Sequence, residues 1–375
     1  MAAESPLERR TGTMWESRTE VRAANVERGP TQQAPVAQSR AHAYIVAFVA
    51  ANDAMHAANP SSSIIIRDLQ SFDDLKQVEA VEKEVWSAAD LDVLPMTLAV
   101  AAREAGNLWL GAFHGPQLVG FAFGIFGVEH GCLSIHSHML AVRPGYRDSD
   151  IGYRLKLAQR ERALALRIGG VPPDGRSSDL QNHNGRNHHS RYPSVRIEEI
   201  TWTFDPLQSK NAHLNFAKLG VVSNRYLPDF YGPETSSPLH QNSTDRLWVR
   251  WPVASRRVEE RVRGKDPRPE MLDALAHLHP LVQFNGEGRP ARADLFTALA
   301  RQRVAIEIPS DIAAIEEKDI ALARDWRQAT RWGFTEALRG GFVVAEFCRT
   351  IRGQQGPGVY VLQKGSIGEY VSDMA

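Results

Sequence analysis

The stretch from Leu140 to Lys156 (LAVRPGYRDSDIGYRLK) constrains the fold of this chain more than any other segment. An apolar strand runs into a Pro-Gly turn, continues as a short polar loop, and reaches Gly152 at the start of a predicted helix. The start of a helix leaves backbone N–H groups without partners and carries the positive end of the helix dipole. The segment therefore predicts a binding site for an anionic group such as a pyrophosphate.

Length and composition allow two domains and give no electrostatic signal for a nucleic-acid or membrane partner. The chain has 375 residues, with 44 basic and 44 acidic side chains, so its formal net charge is zero. The longest apolar run, at residues 43–51, is about half the length needed to cross a bilayer. We expect a cytoplasmic protein with no nucleic-acid or membrane partner and no signal or transit peptide.

Hydrophobic periodicity divides the chain into a polar extension, an α/β domain and a C-terminal α/β region. Residues 1–62 are predicted to be a disordered extension. The pattern across 63–253 predicts the order β-α-α-β-β-β-α-β-α-β-β, with a polar surface insertion at 169–194. Residues 254–268 are predicted to be a charged linker, and residues 269–375 an α/β region.

The C-terminal region repeats a pattern of strands and helices found in the domain before it. A strand-helix-strand-strand pattern within 303–362 has the same order as the pattern within 196–251. One interpretation is a half-domain related to the second half of the first domain, and the other is two independent segments of similar order. A different strand order or handedness would remove the first interpretation. An added half-domain also suggests a homodimer formed by strand exchange.

The anion-binding segment resembles the acyl-CoA-binding loop of the GNAT N-acetyltransferase superfamily, whose pattern is Arg/Gln-x-x-Gly-x-Gly/Ala after a strand. Arg147 occupies the first position and Gly152 the last, whereas Asp150 replaces the middle glycine. Further stretches resemble a predicted-acetyltransferase branch with an added C-terminal region: 152–161, 200–207, 211–215, 218–220, 231–232 and 245–251. The resemblance covers residues 63–251. It implies the GNAT fold, a central mixed but mostly antiparallel sheet flanked by helices, followed by a C-terminal α/β half-domain.

This resemblance implies an acyl-CoA-dependent N-acyltransferase that uses acetyl-CoA as cosubstrate and transfers its acetyl group to an amine. The alternative is a catalytically silent acyl-CoA-binding or scaffold protein on the same fold. Asp150 favours the alternative, because an exposed carboxylate near a diphosphate is repulsive by up to about 1 kcal/mol. Phe216 also favours it, because it matches the position of the tyrosine acid of the superfamily and cannot donate a proton.

The resemblance implies cofactor contacts along the strand, the loop and a later helix. The implied cofactor-binding residues are Leu140, Ala141, Val142, Arg147, Asp148, Ser149, Asp150, Ile151, Gly152, Tyr153, Asn211 and Asn215. The strand would hydrogen-bond the pantetheine arm through its backbone, and the loop amides would hold the pyrophosphate. Asn211 and Asn215 are four residues apart on one predicted helix face, which could equally be a solvated polar face.

The candidate catalytic residues follow from acyl transfer, which needs a base for the amine and an acid for the leaving thiolate. Glu198 and Glu199 are predicted on a strand that faces the acceptor, and His136 and His138 on the strand before the loop. Histidine suits proton removal near neutral pH, although either ring could equally be a satisfied strand histidine. The candidates for the acid are Tyr226 and Tyr231, and the alternative is that the leaving thiolate takes its proton from water.

Two further polar positions have both a chemical and a structural interpretation. His183, His188 and His189 fit no common zinc-binding spacing, so no metal site is expected. Asp205 could bind a substrate cation, but its place before Pro206 favours a turn.

Overall fold

The computed structural model describes residues 63–87, 92–129, 131–168, 195–232, 242–265, 278–351 and 354–371. Residues 60–375 form one compact unit. The predicted extension at 1–62, the insertion at 169–194 and its three histidines lie outside the described residues. Among the described residues, no helix is long and apolar enough to cross a membrane.

The first part of the chain has the predicted order of helices and strands. Its strands are β1 (Ile64–Asp68), β2 (Leu108–His114), β3 (Gln117–Glu129), β4 (Cys132–Val142), β5 (Arg167–Ile168), β6 (Val195–Arg196), β7 (Glu199–Phe204), β8 (Val222–Leu227) and β9 (Arg246–Pro252). Its helices are α1 (Phe72–Trp86), α2 (Met96–Glu104), α3 (Ile151–Ala165) and α4, which begins as Ser209–Ala212 and continues as a π-helix over His213–Leu219. The short β5–β6 pair, at the base of the insertion, is an addition to the prediction.

Beyond β9 the chain forms a second set of helices and strands. The strands are β10 (His279–Phe284), β11 (Pro290–Arg292), β12 (Arg303–Ile308), β13 (Phe342–Ile351) and β14 (Gln354–Lys364). The helices are α5 (Arg256–Val262), α6 (Leu295–Leu299), α7 (Ile312–Lys318), α8 (Ile320–Arg339) and α9 (Gly368–Val371).

The prediction of a charged linker at 254–268 is wrong for Arg256–Val262, which form α5. The Ser255 hydroxyl caps this helix by accepting from the backbone N–H of Val258. Arg257 and Arg261 each donate to the carboxylate of Glu346 at 2.7 Å. A run of charged residues suggests a solvated linker, but here its arginines are drawn into ion pairs with β13.

The strands of both parts join one twelve-stranded sheet in the order β1-β2-β3-β4-β7-β9-β8-β13-β14-β12-β10-β11. The pairs β4–β7 and β10–β12 are parallel, and the other neighbouring pairs are antiparallel. The two parts meet where β8 pairs with β13, at Ser223 and Val344. The predicted mixed, mostly antiparallel sheet is confirmed.

The strand order is the same on the two sides of the β8–β13 junction. In the first half, β4 is parallel to β7, β7 is antiparallel to β9, and β9 is antiparallel to β8. In the second half, β10 is parallel to β12, β12 is antiparallel to β14, and β14 is antiparallel to β13. Strand order and direction therefore agree, as the half-domain interpretation requires.

Helices cover both faces of the first half of the sheet. On one face, called the α1 face, Leu75 and Val78 of α1 pack against Trp109 and Phe121. On the opposite face, called the α3 face, Leu155 and other apolar residues of α3 pack against β2 and β3. Fully burying one such side chain stabilises the fold by about 1.5–3 kcal/mol. The start of α3 is thereby fixed beside the end of β4.

Candidate functional site

β4 and β7 pair over only part of their length, which leaves an opening in the sheet. Parallel pairing joins Ser134–His136 of β4 to Glu199–Thr201 of β7 and ends there. On its other edge β4 stays paired with β3 to its last residue. We call the opening between residues 137–142 of β4 and 202–204 of β7 the V cleft. The predicted backbone contacts Leu140, Ala141 and Val142 lie along its edge.

A β-bulge in β4 lies at the closed end of the V cleft. Ser137 is opposite Gly124 of β3 and Met139 is opposite Phe123, so His138 is the extra residue. A bulge bends its strand and redirects the side chains around it. The ring of His138 lies 6.3 Å from that of His136 and 6.3 Å from that of Phe123, which belongs to the α1 face. Both predicted histidines therefore belong to one cluster.

The predicted anion site lies at the end of β4, where α3 begins. Asp150 is the N-cap of α3 and has a left-handed backbone with φ of 54°, as does Asp148 with φ of 63°. The backbone N–H of Arg154 donates to the Asp150 carbonyl at 2.9 Å. The amides from Asp148 to Tyr153 have no backbone acceptor among the described residues. We call these N–H groups, at the positive end of the helix dipole, the amide seat.

Two aspartates of the loop adopt a backbone conformation that glycine takes most readily. A left-handed backbone costs most residues free energy, but glycine, asparagine and aspartate adopt it. The loop of this chain uses Asp148 and Asp150 in that conformation. Replacement of the pattern's middle glycine thus changes the charge of the loop and keeps its turn.

Two lysines of α4 neutralise the aspartates beside the amide seat. Lys218 Nζ lies 2.8 Å from an Asp150 oxygen, and Lys210 Nζ lies 3.4 Å from an Asp148 oxygen. The Lys218 ammonium is also 5.5 Å from the centre of the Tyr153 ring. The carboxylate that was expected to repel a diphosphate therefore carries its own counter-charge, and a cation stands at the site.

The structure brings together the predicted strand and loop residues but not the asparagines. Arg147 and Ser149 are exposed on the loop, whereas the Ile151 side chain is buried in the core and offers only its N–H. Asn211 is exposed, and Asn215 is 3% exposed. The contacts with the loop are made by the longer side chains of Lys218, which the sequence places near the two asparagines, and of Lys210, which the prediction did not include.

Polar side chains of β4, β7 and β9 line the α1 face beside the V cleft. His136 Nδ1 lies 3.1 Å from Thr201 Oγ1, and the His136 ring stacks on Trp248 with centroids 4.7 Å apart. Burial, helped by the nearby charges of His138 and Lys156, lowers the pKa of His136 to about 4. Partial loss of solvent also lowers the pKa of His138. Both imidazoles are therefore neutral at pH 7 and can accept a proton.

The predicted glutamate bases do not present free carboxylates to the V cleft. Glu199 accepts from Arg250 Nε at 2.7 Å and lies in the paired part of β7. Glu198 precedes β7 and is exposed, and its carbonyl accepts from the N–H of Val253. Successive residues of a strand face opposite sides, so two adjacent glutamates cannot both face the acceptor.

The predicted tyrosine acids also lie away from the closed end of the V cleft. Tyr231 is exposed on the loop after β8, where its N–H donates to the Thr244 hydroxyl. The Tyr226 hydroxyl donates to Asp245 at 2.6 Å, and its ring stacks on Phe334. Tyr226 thus serves a buried polar network that reaches α8.

Two buried charged residues lie on opposite sides of β3 and β4 without an opposite charge. Glu82 of α1 is 1% exposed, and among the described residues its carboxylate pairs with no cation; the backbone of Leu94 supplies a hydrogen-bonding contact. Burial raises the pKa of Glu82 to about 7. Lys156 of α3 is 4% exposed and donates to Ser137 Oγ at 2.7 Å. The other buried charged residues in the described ranges have ion-pair partners: Asp74, Glu199, Asp245, Arg261 and Arg327.

Sequence reasoning missed Glu82 and Lys156, although their spacing contained a signal. Lys156 is three residues before Gln159 and seven before Ala163, both of which face inward on α3. Glu82 follows Val78 by four residues on the buried side of α1. A charged residue at the inward spacing of a helix is a candidate for a functional site or a buried pair.

Asp205 lies in a turn and forms an ion pair. Its carboxylate accepts from the N–H of Leu207 at 2.9 Å, which is a local turn hydrogen bond. Both carboxylate oxygens also accept from the Arg327 guanidinium of α8, at 2.7 and 2.8 Å. The structure therefore supports the turn interpretation over binding of a substrate cation. Among the described residues, no three His, Cys, Asp or Glu side chains cluster as metal ligands would.

Solved structures similar to this chain include several N-acetyltransferases. The ribosomal-protein-S18-alanine N-acetyltransferase of Escherichia coli is 13% identical, with a TM-score of 0.34 over 51% of this chain and 94% of its own. An N-acetyltransferase of Staphylococcus aureus is 12% identical, with a TM-score of 0.35 over 51% of this chain and 98% of its own. The NatC complex bound to Gag peptide and CoA is 13% identical, with a TM-score of 0.34 over 51% of this chain and 98% of its own. No protein-family model matches the sequence, and no curated protein matches it significantly.

Proposed function

We propose that this chain binds acyl-CoA in the V cleft and transfers the acyl group, an acetyl group, to an amine. The observation that carries the proposal is the amide seat at the end of an open strand edge. Coenzyme A joins an anionic diphosphate to a pantetheine arm that contains amide groups. The amide seat suits the diphosphate, and the unpaired edge of β4 suits the arm.

In the proposed reaction, the two faces of the sheet have different roles. An amine that approaches from the α1 face meets the neutral imidazoles of His136 and His138, which can take up its proton directly or through water. The unpaired N–H groups of β4 would stabilise the oxyanion that forms on the thioester carbonyl oxygen when the amine attacks the acyl carbon. The thioester itself would lie in the plane of the sheet, at the closed end of the V cleft.

A second candidate function is a silent acyl-CoA-binding protein, and Phe216 favours it. Phe216 is fully buried, and its ring lies 6.3 Å from Phe204 and 5.7 Å from Tyr360. The position that matches the superfamily's tyrosine acid thus belongs to the core. On this candidate the V cleft would bind the cofactor and no group would complete the chemistry.

Calorimetric titration with coenzyme A tests the shared premise of both candidates. Ser149→Glu places a negative charge in the loop of the amide seat, and we expect it to weaken binding because it repels the diphosphate. Gln302→Glu, which adds the same charge on an exposed turn of the second half, is the matched control and should bind normally. Equal affinity for the two variants would contradict the proposed site.

Thiol release from acetyl-CoA in the presence of an amine panel separates the two candidates. The enzyme candidate requires release that depends on both the protein and an amine, and an acetylated amine as the product. Binding of acetyl-CoA with no release above the protein-free rate for any amine would favour the silent candidate. Mass spectrometry of the amine identifies the acceptor class.

A further inference from the structure

We propose that Lys156 donates the proton that the leaving thiolate of coenzyme A takes up. This inference rests on the proposed function and assigns its missing acid to α3. The supporting observations are the position of the amine, the charges around it and the packing of the face from which it approaches.

The Lys156 amine stands at the closed end of the V cleft. The last paired residues of the two parallel strands are His136 and Thr201. The next residues, Ser137 and Trp202, are the first of the opening on each side. Lys156 Nζ is 2.7 Å from Ser137 Oγ and 3.7 Å from the centre of the Trp202 ring. The amine therefore contacts both strands at the point where they separate.

The surroundings of the amine contain polar groups but no anion. The Ser137 hydroxyl, which accepts from Lys156, donates in turn to Gln159 Oε1 at 2.9 Å. The face of Trp202 supplies a cation–π contact. Among the described residues, no carboxylate pairs with Lys156. An anion that forms at the closed end of the V cleft would be the first counter-charge of this buried amine.

An unpaired buried ammonium is a stronger acid than an ordinary lysine. Burial lowers the pKa of Lys156 well below its usual value, which moves it toward the range of a thiol, about 8.5. Proton transfer from this ammonium to a thiolate is then easier than from an exposed lysine. The thiolate that develops at the closed end of the V cleft would both attract the ammonium and receive its proton.

Lys156 approaches β7 from the α3 face, the side on which Phe216 stands at the position of the superfamily's tyrosine acid. Trp202 and Phe204 are alternate residues of β7 and belong to the same core cluster as Phe216. Phe216 of α4 and Lys156 of α3 therefore reach β7 from the same side. Lys156 supplies a proton donor on the face where Phe216 has none.

The proposed step balances in atoms and electrons. The amine nitrogen of the acceptor forms a bond to the acyl carbon, and the carbon–sulfur bond breaks with its electron pair on sulfur. The Lys156 ammonium gives a proton to that sulfur, which yields coenzyme A as a thiol and leaves a neutral amine. The proton lost by the acceptor nitrogen passes to His136 or His138, directly or through water, and solvent returns a proton to Lys156.

The test uses free coenzyme A and needs no acceptor. We expect the thiol of coenzyme A bound to the wild-type chain to have a pKa about one unit or more below that of the free thiol. The ultraviolet absorbance of the thiolate measures this pKa. In Lys156→Met, which keeps the length of the side chain without its charge, the shift should disappear. Lys265→Met removes an exposed lysine at the end of α5 and should keep the shift.

The neighbouring titratable groups are the same in the wild type and in both variants. Those on α3, β4 and β7 are Tyr153, Arg160, His136, His138 and Glu199. The difference between the wild type and Lys156→Met therefore isolates the lysine. The wild-type titration also stands alone as a test if the variant does not fold.

A rate measurement gives a second readout of the same proposal. With hydroxylamine as a small acceptor, Lys156→Met should lower kcat for acetyl-CoA about a hundredfold and leave KM nearly unchanged, because the lost contact acts on the leaving group. A normal thiol pKa in the wild-type complex would overturn the proposal and leave acyl-CoA binding intact. No binding of coenzyme A by the wild-type chain would overturn the proposed function together with it.

Discussion

The two halves of the sheet repeat one strand order and differ in what lies between their parallel strands. In the first half the V cleft between β4 and β7 is open. In the second half the corresponding place between β10 and β12 is filled, because the Phe284 N–H donates to Glu307 at 2.8 Å and its ring packs on Trp326 at 4.3 Å. The helix in the position of α3 is α6, which has five residues and is capped by Asp294. The shared strand order is thus accompanied by an open cleft in the first half and a filled one in the second.

Buried charges differ between the halves in the same way. In the second half and at its border, Arg327 is paired with Asp205 and Arg261 with Glu346. In the first half, Glu82 and Lys156 are buried without an opposite charge. Burying an unpaired charge costs several kcal/mol. The half with the open cleft therefore also contains Glu82 and Lys156, two charged residues whose burial does not stabilise the fold.

Loss of the Arg327–Asp205 pair should give the largest effect on stability. Arg327→Met leaves the partly buried Asp205 carboxylate without its counter-charge and removes the buried guanidinium, and we expect a loss of about 3 kcal/mol in the free energy of unfolding. Denaturant titration measures it. Arg289→Met, which breaks the exposed pair with Asp325, should cost less than about 1 kcal/mol. Similar losses in the two variants would show that the buried pair does not tie α8 to the first half.

Replacement of Glu82 should raise stability above neutral pH. The pKa of Glu82 rises from 4.5 to about 7 on folding, so its favourable contribution is complete below 4.5 and is lost as pH rises through 7. Glu82→Gln stays neutral and should be more stable than the wild type by about 3 kcal/mol near pH 8, with the gain vanishing near pH 5. Unfolding curves at both pH values test this. Glu287→Gln, at an exposed turn of the second half, should show no such dependence.

Replacement of His136 should reduce the loss of stability in acid. The pKa of His136 falls from 6.5 to about 4 on folding, so the unfolded chain binds more protons between these values. The wild type therefore loses stability as pH falls through that window, by about 1–2 kcal/mol for a half-buried ring. His136→Gln should flatten this slope, whereas a variant of the exposed His114 should keep it. An unchanged slope in His136→Gln would mean that the ring is not buried as a neutral group.

Removal of the loop charge should give the smallest effect. Asp150→Asn keeps a residue that tolerates the left-handed backbone and frees Lys218 for the diphosphate. We expect coenzyme A to bind about two- to fivefold more tightly, as an exposed charge contact implies. Asp325→Asn in the second half should leave the affinity unchanged. Weaker binding to Asp150→Asn would instead mean that Asp150 holds Lys218 in place.

The order of elements could be predicted from the sequence because it depends on local signals. The β-branched run at Ile64–Ile66, the turn at Gly115–Pro116 and the N-cap Ser71 each act within a few residues. The amide seat could be predicted for the same reason, since a strand, a turn and a helix start follow one another in the chain.

The contacts within the site could not be predicted, because they join residues far apart in sequence. Glu199 is paired with Arg250, and Asp150 with Lys218. The pairing of β8 with β13, at Ser223 and Val344, likewise joins residues that are far apart in sequence. Sequence periodicity shows which face of an element is buried, but not which partner covers it.

The stoichiometry of coenzyme A binding tests most directly whether only the first half of the sheet has kept a site. Calorimetric titration of the full chain should show one molecule bound per chain, at a site that Ser149→Glu weakens. Two molecules per chain, or one whose affinity Ser149→Glu leaves unchanged, would contradict the contrast between the open and the filled cleft.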